Sequence, residues 1–194
     1  MKENEDILKL LKSNIEIEEV LLRNFINLSE NELEMIRLWR NSPEVKRWMY
    51  NNKSISKEEH FRFVENLKKD TKNFYYLVSK DKMNIGVIDL LRLDPINKNA
   101  YFGIYTNPEI KEKGLGSSLG KTILKLAFEI LNLQTLKLEV FETNSRALQL
   151  YKKLSFKEEG RLREFVFRDG KWIDVIIMGM TQEEYKNAKC KNSK

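Results

Sequence analysis

The spacing of apolar positions changes several times along the chain, and each change marks an element. Residues 1 to about 15 read as a short charged helix or a mobile arm. Glu18 to Ile26 carries Val20-Leu21-Leu22 and Phe25 and reads as a first strand. Ser29 with Glu32 three residues on is a capping box: the serine accepts from the third helical amide and the glutamate reaches back to the cap. It predicts a helix to about Arg40 with Leu33, Ile36 and Trp39 at helical spacing. Asn41-Ser42-Pro43 stops that helix, and Pro43 opens a short one through Met49. Ser56 and Glu59 form a second capping box, predicting a helix to about Lys69 with Phe61, Val64 and Leu67 on one side.

The second half alternates strands and helices. Phe74–Ser79 and Met83–Leu93 flank the polar turn Lys80-Asp81-Lys82 and read as a hairpin. A turn from Asp94-Pro95 to Asn99 leads into a strand at Tyr101–Thr106, and Asn107-Pro108 breaks it. A helix starting near Gly116 carries Leu119, Ile123, Leu126, Ala127 and Ile130 on one stripe. Thr135–Val140 alternates with period two, placing Leu136, Leu138 and Val140 on one face and Lys137, Glu139 and Phe141 on the other. Asn144 caps a helix with Ala147, Leu148, Tyr151 and Leu154, and Phe156–Phe167 with Trp172–Met180 form a hairpin about Asp169-Gly170. Residues 186–194 read as a disordered tail. The order predicts a mixed α/β (α+β) domain whose sheet is not wholly parallel. It divides as an arm at 1–16, one domain at 17–183 and a polar tail at 184–194, without internal repeats.

Composition narrows the classes. The 194 residues are 41% hydrophobic and 33% charged, ordinary for a globular protein. No apolar run approaches the roughly 20 residues of a membrane helix. One cysteine, Cys190, and one histidine argue against a dedicated metal site, and a reducing cytoplasm is the expected setting. The net charge of +6, from 35 Lys and Arg against 29 Asp and Glu, suits anionic ligands, although composition alone favours a solvated lysine-rich surface. Both signs are interspersed without a long basic run, so neither nucleic acid nor a membrane is expected as a partner.

The stretch from Tyr101 to Ser117 carries the chemistry. A strand feeding a glycine-bearing loop at a helix N-terminus presents unpaired amides and the positive end of a dipole to an anion. Two familiar phosphate loops miss. A P-loop ending in Gly120-Lys121-Thr122 needs glycine where Leu115 stands, and a dinucleotide fingerprint from Gly114 needs it at Leu119. The pattern present is Lys111-x-x-Gly114-x-Gly116.

With Asn144-Ser145-Arg146-Ala147 and Leu150-Tyr151-Lys152-Lys153-Leu154-Ser155-Phe156, this pattern resembles the GCN5-related N-acetyltransferase (GNAT) family over roughly residues 20–182. Ser155 replaces that family's usual glycine, and Lys111 its usual Gln or Arg. The resemblance implies the GNAT fold, a mixed and mostly antiparallel sheet flanked by helices, and acetyl-CoA as donor without a metal. Leu38-Trp39-Arg40-Asn41, Trp48-Met49-Tyr50, His60-Phe61-Arg62-Phe63 and Gly86-Val87-Ile88-Asp89 resemble a sugar-nucleotide branch. That branch acetylates the 4-amino group of a UDP-linked 4-amino-4,6-dideoxy sugar in pseudaminic-acid biosynthesis, which feeds flagellin glycosylation. Trp39-Arg40-Asn41 is shared with the branch acetylating ribosomal-protein N-terminal alanine, and a homodimer stays open.

The resemblance also implies roles. Ile104, Tyr105 and Thr106 would take the pantetheine arm. Lys111, Lys113, Gly114, Leu115, Gly116 and Ser117 would take the pyrophosphate, and Asn144 the arm again. Tyr151 would be the general acid for the departing thiolate. Glu139 is the candidate base, acting through a water, with Asp89 orienting that water or the amine. Arg40, Met49, Tyr50, His60, Phe63, Arg92, Tyr101 and Tyr105 would line the acceptor side.

Overall fold

A computed structural model describes residues 2–192. Helix α1 (Lys2–Lys12) is followed by β1 (Ile15–Ile17), β2 (Val20–Asn24) and a 3-10 turn over Phe25–Asn27. Then come α2 (Glu30–Asn41), α3 (Pro43–Lys46), α4 (Lys57–Leu67), β3 (Phe74–Lys80), β4 (Met83–Asp94) and β5 (Asn99–Thr106). The rest is α5 (Leu115–Lys125), β6 (Thr135–Phe141), α6 (Ser145–Lys153), β7 (Lys157–Arg168), β8 (Lys171–Thr181) and α7 (Gln182–Asn192). All eight strands form one sheet in the order β1-β2-β3-β4-β5-β6-β8-β7. Every neighbouring pair is antiparallel except β5 with β6.

Two large cores hold the sheet, with a smaller cluster of Phe141, Val166 and Val175 on β6, β7 and β8. On one face Leu22, Ile88, Phe102 and Leu138 pack with Leu11 of α1, Leu119 and Ile123 of α5 and Tyr151 of α6. On the other, Leu77 and Val87 pack with Leu33, Ile36 and Trp39 of α2 and Val64 and Leu67 of α4. Each such side chain contributes roughly 1.5–3 kcal/mol when fully buried.

Both capping boxes form, with Ser29 on Glu32 and Ser56 on Glu59, so α2 and α4 start where the sequence places them. Five details depart from it. The first strand is a hairpin, because Glu18 takes a positive φ of 55° and turns β1 into β2. α3 ends at Lys46, short of Met49. α4 buries His60 with Val64 and Leu67, and leaves Phe61 partly exposed. A π-helical turn over Leu126–Ile130 follows α5, burying Phe128 and leaving Ile130 39% exposed. The tail expected to be disordered is helical to Asn192, and Tyr185 stacks on Phe128 at 5.0 Å. At the other end α1 is docked: Leu11 is fully buried, and its carbonyl accepts from Tyr76 Oη (2.6 Å) and Asn24 Nδ2 (2.7 Å).

Candidate active site

The sheet opens at its centre. β5 and β6 pair only at Asn99–Thr135, Ala100–Leu136 and Tyr101–Lys137, so β5 from Phe102 to Thr106 has no strand partner on that side. Unpaired strand edges accept a further extended chain. Below the opening, Gly114 caps α5 in the left-handed region (φ 95°) with no side-chain hydrogen bond, leaving the first amides of the helix to a ligand. The loop around it, from Lys111 to Gly114, is exposed. This is an extended slot ending in an anion cradle, and it fits the arm and pyrophosphate of acetyl-CoA. No group of three or more His, Cys, Asp and Glu gathers as for a metal among the described residues.

Tyr151 stands at the mouth of the slot. Its ring meets Phe102 and Phe156 edge-on at 5.9 and 6.1 Å, and Phe102 is the first residue of β5 beyond the pairing with β6. Burial, and then the charge of Asp89, hold its phenol above the ordinary value, so it stays protonated at neutral pH. Asp89 lies opposite Tyr75 on β3 and Gly103 on β5. Its Oδ1 is sealed from solvent and has no hydrogen-bond partner among the described residues. Burial pushes the carboxyl up to about 7, with the Gly103 N–H pulling it back in part.

Glu139 is held on both sides. Tyr50 Oη donates to Oε2 at 2.6 Å, and Arg92 Nη1 donates to Oε1 at 2.8 Å. Arg92 lies over the Tyr101 ring at 4.6 Å, completing a frame of Tyr50, Glu139, Arg92 and Tyr101 beside the opening. A register shift between Leu91 and Asp94 and a positive φ of 52° at Arg92 re-aim this guanidinium out of the strand's alternation. On the far side of Arg92, a groove of ≈ 510 Å³ runs past Lys72, Asn73 and Asp94.

The loop bearing Tyr50 is pinned from β7 by Arg168, which donates to the carbonyls of Arg47, Met49 and Tyr50 and lies over Phe141 at 5.2 Å. Phe165, moved outward by the shift between Leu162 and Val166, meets Tyr50 at 6.1 Å. Sequence reasoning missed both residues; they lie more than a hundred positions from the loop they contact, and no local pattern marks them. Arg168→Met is expected to loosen the segment. Hydrogen bonds from a charged donor contribute about 1.5–3 kcal/mol. Amide exchange at Trp48 and Met49, whose N–H groups bond Val45 and Lys46 carbonyls, should therefore quicken roughly ten- to hundredfold. Unchanged exchange would show the loop to be held otherwise.

Other expected residues fall into two groups. Arg40 Nη2 donates to the Asn51 carbonyl at 2.7 Å, while Nη1 is buried without a partner, and the side chain lies close enough to Tyr105 to feel its charge. Tyr50 and Phe63 are 48% and 37% exposed. Met49 is half-buried beside Tyr50. His60 is 5% exposed among Phe25, Phe61 and Phe63, with Nε2 buried without a partner and its imidazole pushed down by burial. Asn144 is engaged as the cap of α6, its Oδ1 accepting from Ala147 N at 3.2 Å.

A family profile described as an acetyltransferase (GNAT) domain matches residues 26–177. The chain is 39% identical over 148 residues to the acetyltransferase PseH of Campylobacter jejuni, covering 76% of this chain and 91% of that one. The crystal structure of Campylobacter jejuni PseH with acetyl coenzyme A superposes with a TM-score of 0.65 at 32% identity, covering 84% of this chain and 99% of the other. The Vibrio cholerae spermidine N-acetyltransferase, solved with CoA and spermine, superposes with a TM-score of 0.79 at 28% identity, covering 88% and 100%. No helix among the described residues is long and apolar enough to cross a membrane.

Proposed function

The chain belongs to the GNAT acetyltransferase family, as an acetyl-CoA-dependent N-acetyltransferase, and we propose that its acceptor is the 4-amino group of a UDP-linked 4-amino-4,6-dideoxy sugar. The observation that carries this reading is the frame beside the slot. Tyr50 and Phe63 leave aromatic surface exposed to a sugar or a base, and Arg92 and Lys72, which line one groove, offer cations to a diphosphate. The likeness to the PseH chain supports the same acceptor class.

Bound along β5, acetyl-CoA supplies an acetyl group activated as a thioester. The edge of β5 from Ile104 to Thr106 holds the arm, and a backbone N–H near Ile104 or Tyr105 favours charge developing on the thioester oxygen. The amides from Lys113 to Ser117 hold the phosphates, with Lys111 alongside. Tyr151 keeps a proton on its phenolic oxygen for the leaving sulfur. Tyr50, Tyr101 and Glu139 orient the amine.

The test follows free thiol release from acetyl-CoA with three amines: the UDP-4-amino sugar, spermidine, and a peptide with an N-terminal alanine. Release is expected with the sugar nucleotide at a kcat/KM at least a hundredfold above the other two, about 2.7 kcal/mol of discrimination. Turnover of spermidine or the peptide without the sugar would overturn the acceptor assignment and leave the acetyltransferase intact.

A further inference from the structure

We propose that Asp89 takes the proton from the acceptor amine, and that Glu139 is a positioning residue. The inference rests on the acetyl-transfer reading and holds for any primary amine. Both oxygens of Glu139 are engaged, Oε2 by Tyr50 and Oε1 by Arg92. Neutralising this carboxylate would forfeit the charge that holds the Arg92 guanidinium in place.

Asp89 has the opposite surroundings. The groups facing it are Tyr75 of β3, Tyr105 and Gly103 of β5 and Tyr151 of α6; Arg40 of α2 acts on Tyr105. None of these neighbours forms an ion pair with it, and no Lys or Arg pairs with it among the described residues. Asp89 is half-buried, and its Oδ1 is sealed off with neither a cation nor a hydrogen-bond donor; such an orphaned oxygen is costly and calls for a reason. The space is made by a glycine: a Cβ on Gly103 would lie 2.9 Å from both Asp89 oxygens. Gly103 is the second residue of β5 beyond the last pair with β6, so the carboxylate sits over the start of the open edge. Tyr151, the proton donor, feels its charge from the other core.

The chemistry balances. The ammonium gives a proton to the Asp89 carboxylate, directly or through one water, leaving a neutral acid and an amine lone pair. The amine forms the C–N bond, the C–S bond breaks, and the sulfur takes the Tyr151 proton. As the amide forms, the nitrogen loses its second proton to the Tyr151 phenolate, Asp89 releases its proton to solvent, and one proton leaves for each acetyl transferred. Burial that penalises the charged carboxylate favours the protonated form, and a carboxyl at about 7 both takes and returns a proton at neutral pH.

The experiment compares kcat/KM against pH for the native protein, Asp89→Asn and Glu139→Gln, with acetyl-CoA and whichever of the three amines turns over. Asp89→Asn should lower kcat about a hundredfold and abolish an acidic limb near pH 7. Glu139→Gln should raise the acceptor KM and keep that limb. A limb that survives in Asp89→Asn, or vanishes in Glu139→Gln, overturns the proposal. Melting temperatures give a readout free of any acceptor. The folded carboxyl titrates above the ordinary 3.8, so the native fold holds a proton that the unfolded chain releases, and stability falls as pH rises from about 4 to about 7. Asp89→Asn should therefore become more stable relative to the native protein across that window. A difference that does not vary with pH would also overturn the proposal, whatever the acceptor.

Discussion

Tyr151→Phe should lower kcat by two to four orders of magnitude while leaving acetyl-CoA affinity within about twofold. The ring is 7% exposed and wedged against Phe102 and Phe156, so phenylalanine keeps the packing and removes only the hydroxyl. The lost group is the protonated phenol at the mouth of the β5–β6 opening. Raised above its ordinary 10.0 by burial and then by Asp89, it remains an acid throughout the neutral range. The native protein should accordingly show no basic limb from this group below pH 10. Single-turnover kinetics with calorimetry of acetyl-CoA binding separate the two quantities. A variant that turns over at the native rate would remove Tyr151 from the reaction, and one that merely binds the donor weakly would make it a binding residue.

The place of Tyr151 on its helix was legible in the sequence because local signals set it, whereas its role came only from the resemblance. Asn144 caps α6, and helical spacing then fixes which residues face the core. The same holds for α2 and α4, whose capping boxes mark their first turns, and for the β3–β4 hairpin. What was not legible depends on rotation or on distant pairing. The stripe ending in Ile130 assumed 3.6 residues per turn throughout, and the π-turn over Leu126–Ile130 inserts an extra residue and brings Phe128 inward. On α4 the stripe through Phe61 differs by one position from the one observed, and that puts His60 into the aromatic core. The state of Glu139 follows from Tyr50 and Arg92, which are brought from a loop and a bulge far away in sequence. Likewise the space above Asp89 depends on the β4–β5 register that sets Gly103 beside it. Sequence spacing finds residues that a single element presents; it does not say which partners the sheet will hand them.

The sheet itself imposes the other large effect. Gly86→Ala should destabilise the protein by about 3 kcal/mol, at the upper end of overpacking, and lower Tm by roughly 6–12 °C. Gly86 pairs with Thr106 across β4 and β5. A Cβ there would fall 2.4 Å from the Tyr105 carbonyl oxygen, 2.8 Å from Leu119 Cδ1 and 3.0 Å from Thr106 Cα. Two of these three atoms are backbone, so no rotamer change relieves the contact; β5 must move. The displaced stretch is the strand edge assigned to the donor, and Leu119 belongs to the helix whose N-terminus forms the anion cradle. Acetyl-CoA affinity should therefore fall together with stability, unlike in Tyr151→Phe. Gly160→Ala serves as the control: nothing lies within 4 Å of its Cβ position, and its Tm should stay within about 2 °C of the native value. A Gly86→Ala protein with native Tm and native donor affinity would mean that β4 and β5 separate at little cost. The close approach at Gly86 would then not be what holds the open edge of β5 in place.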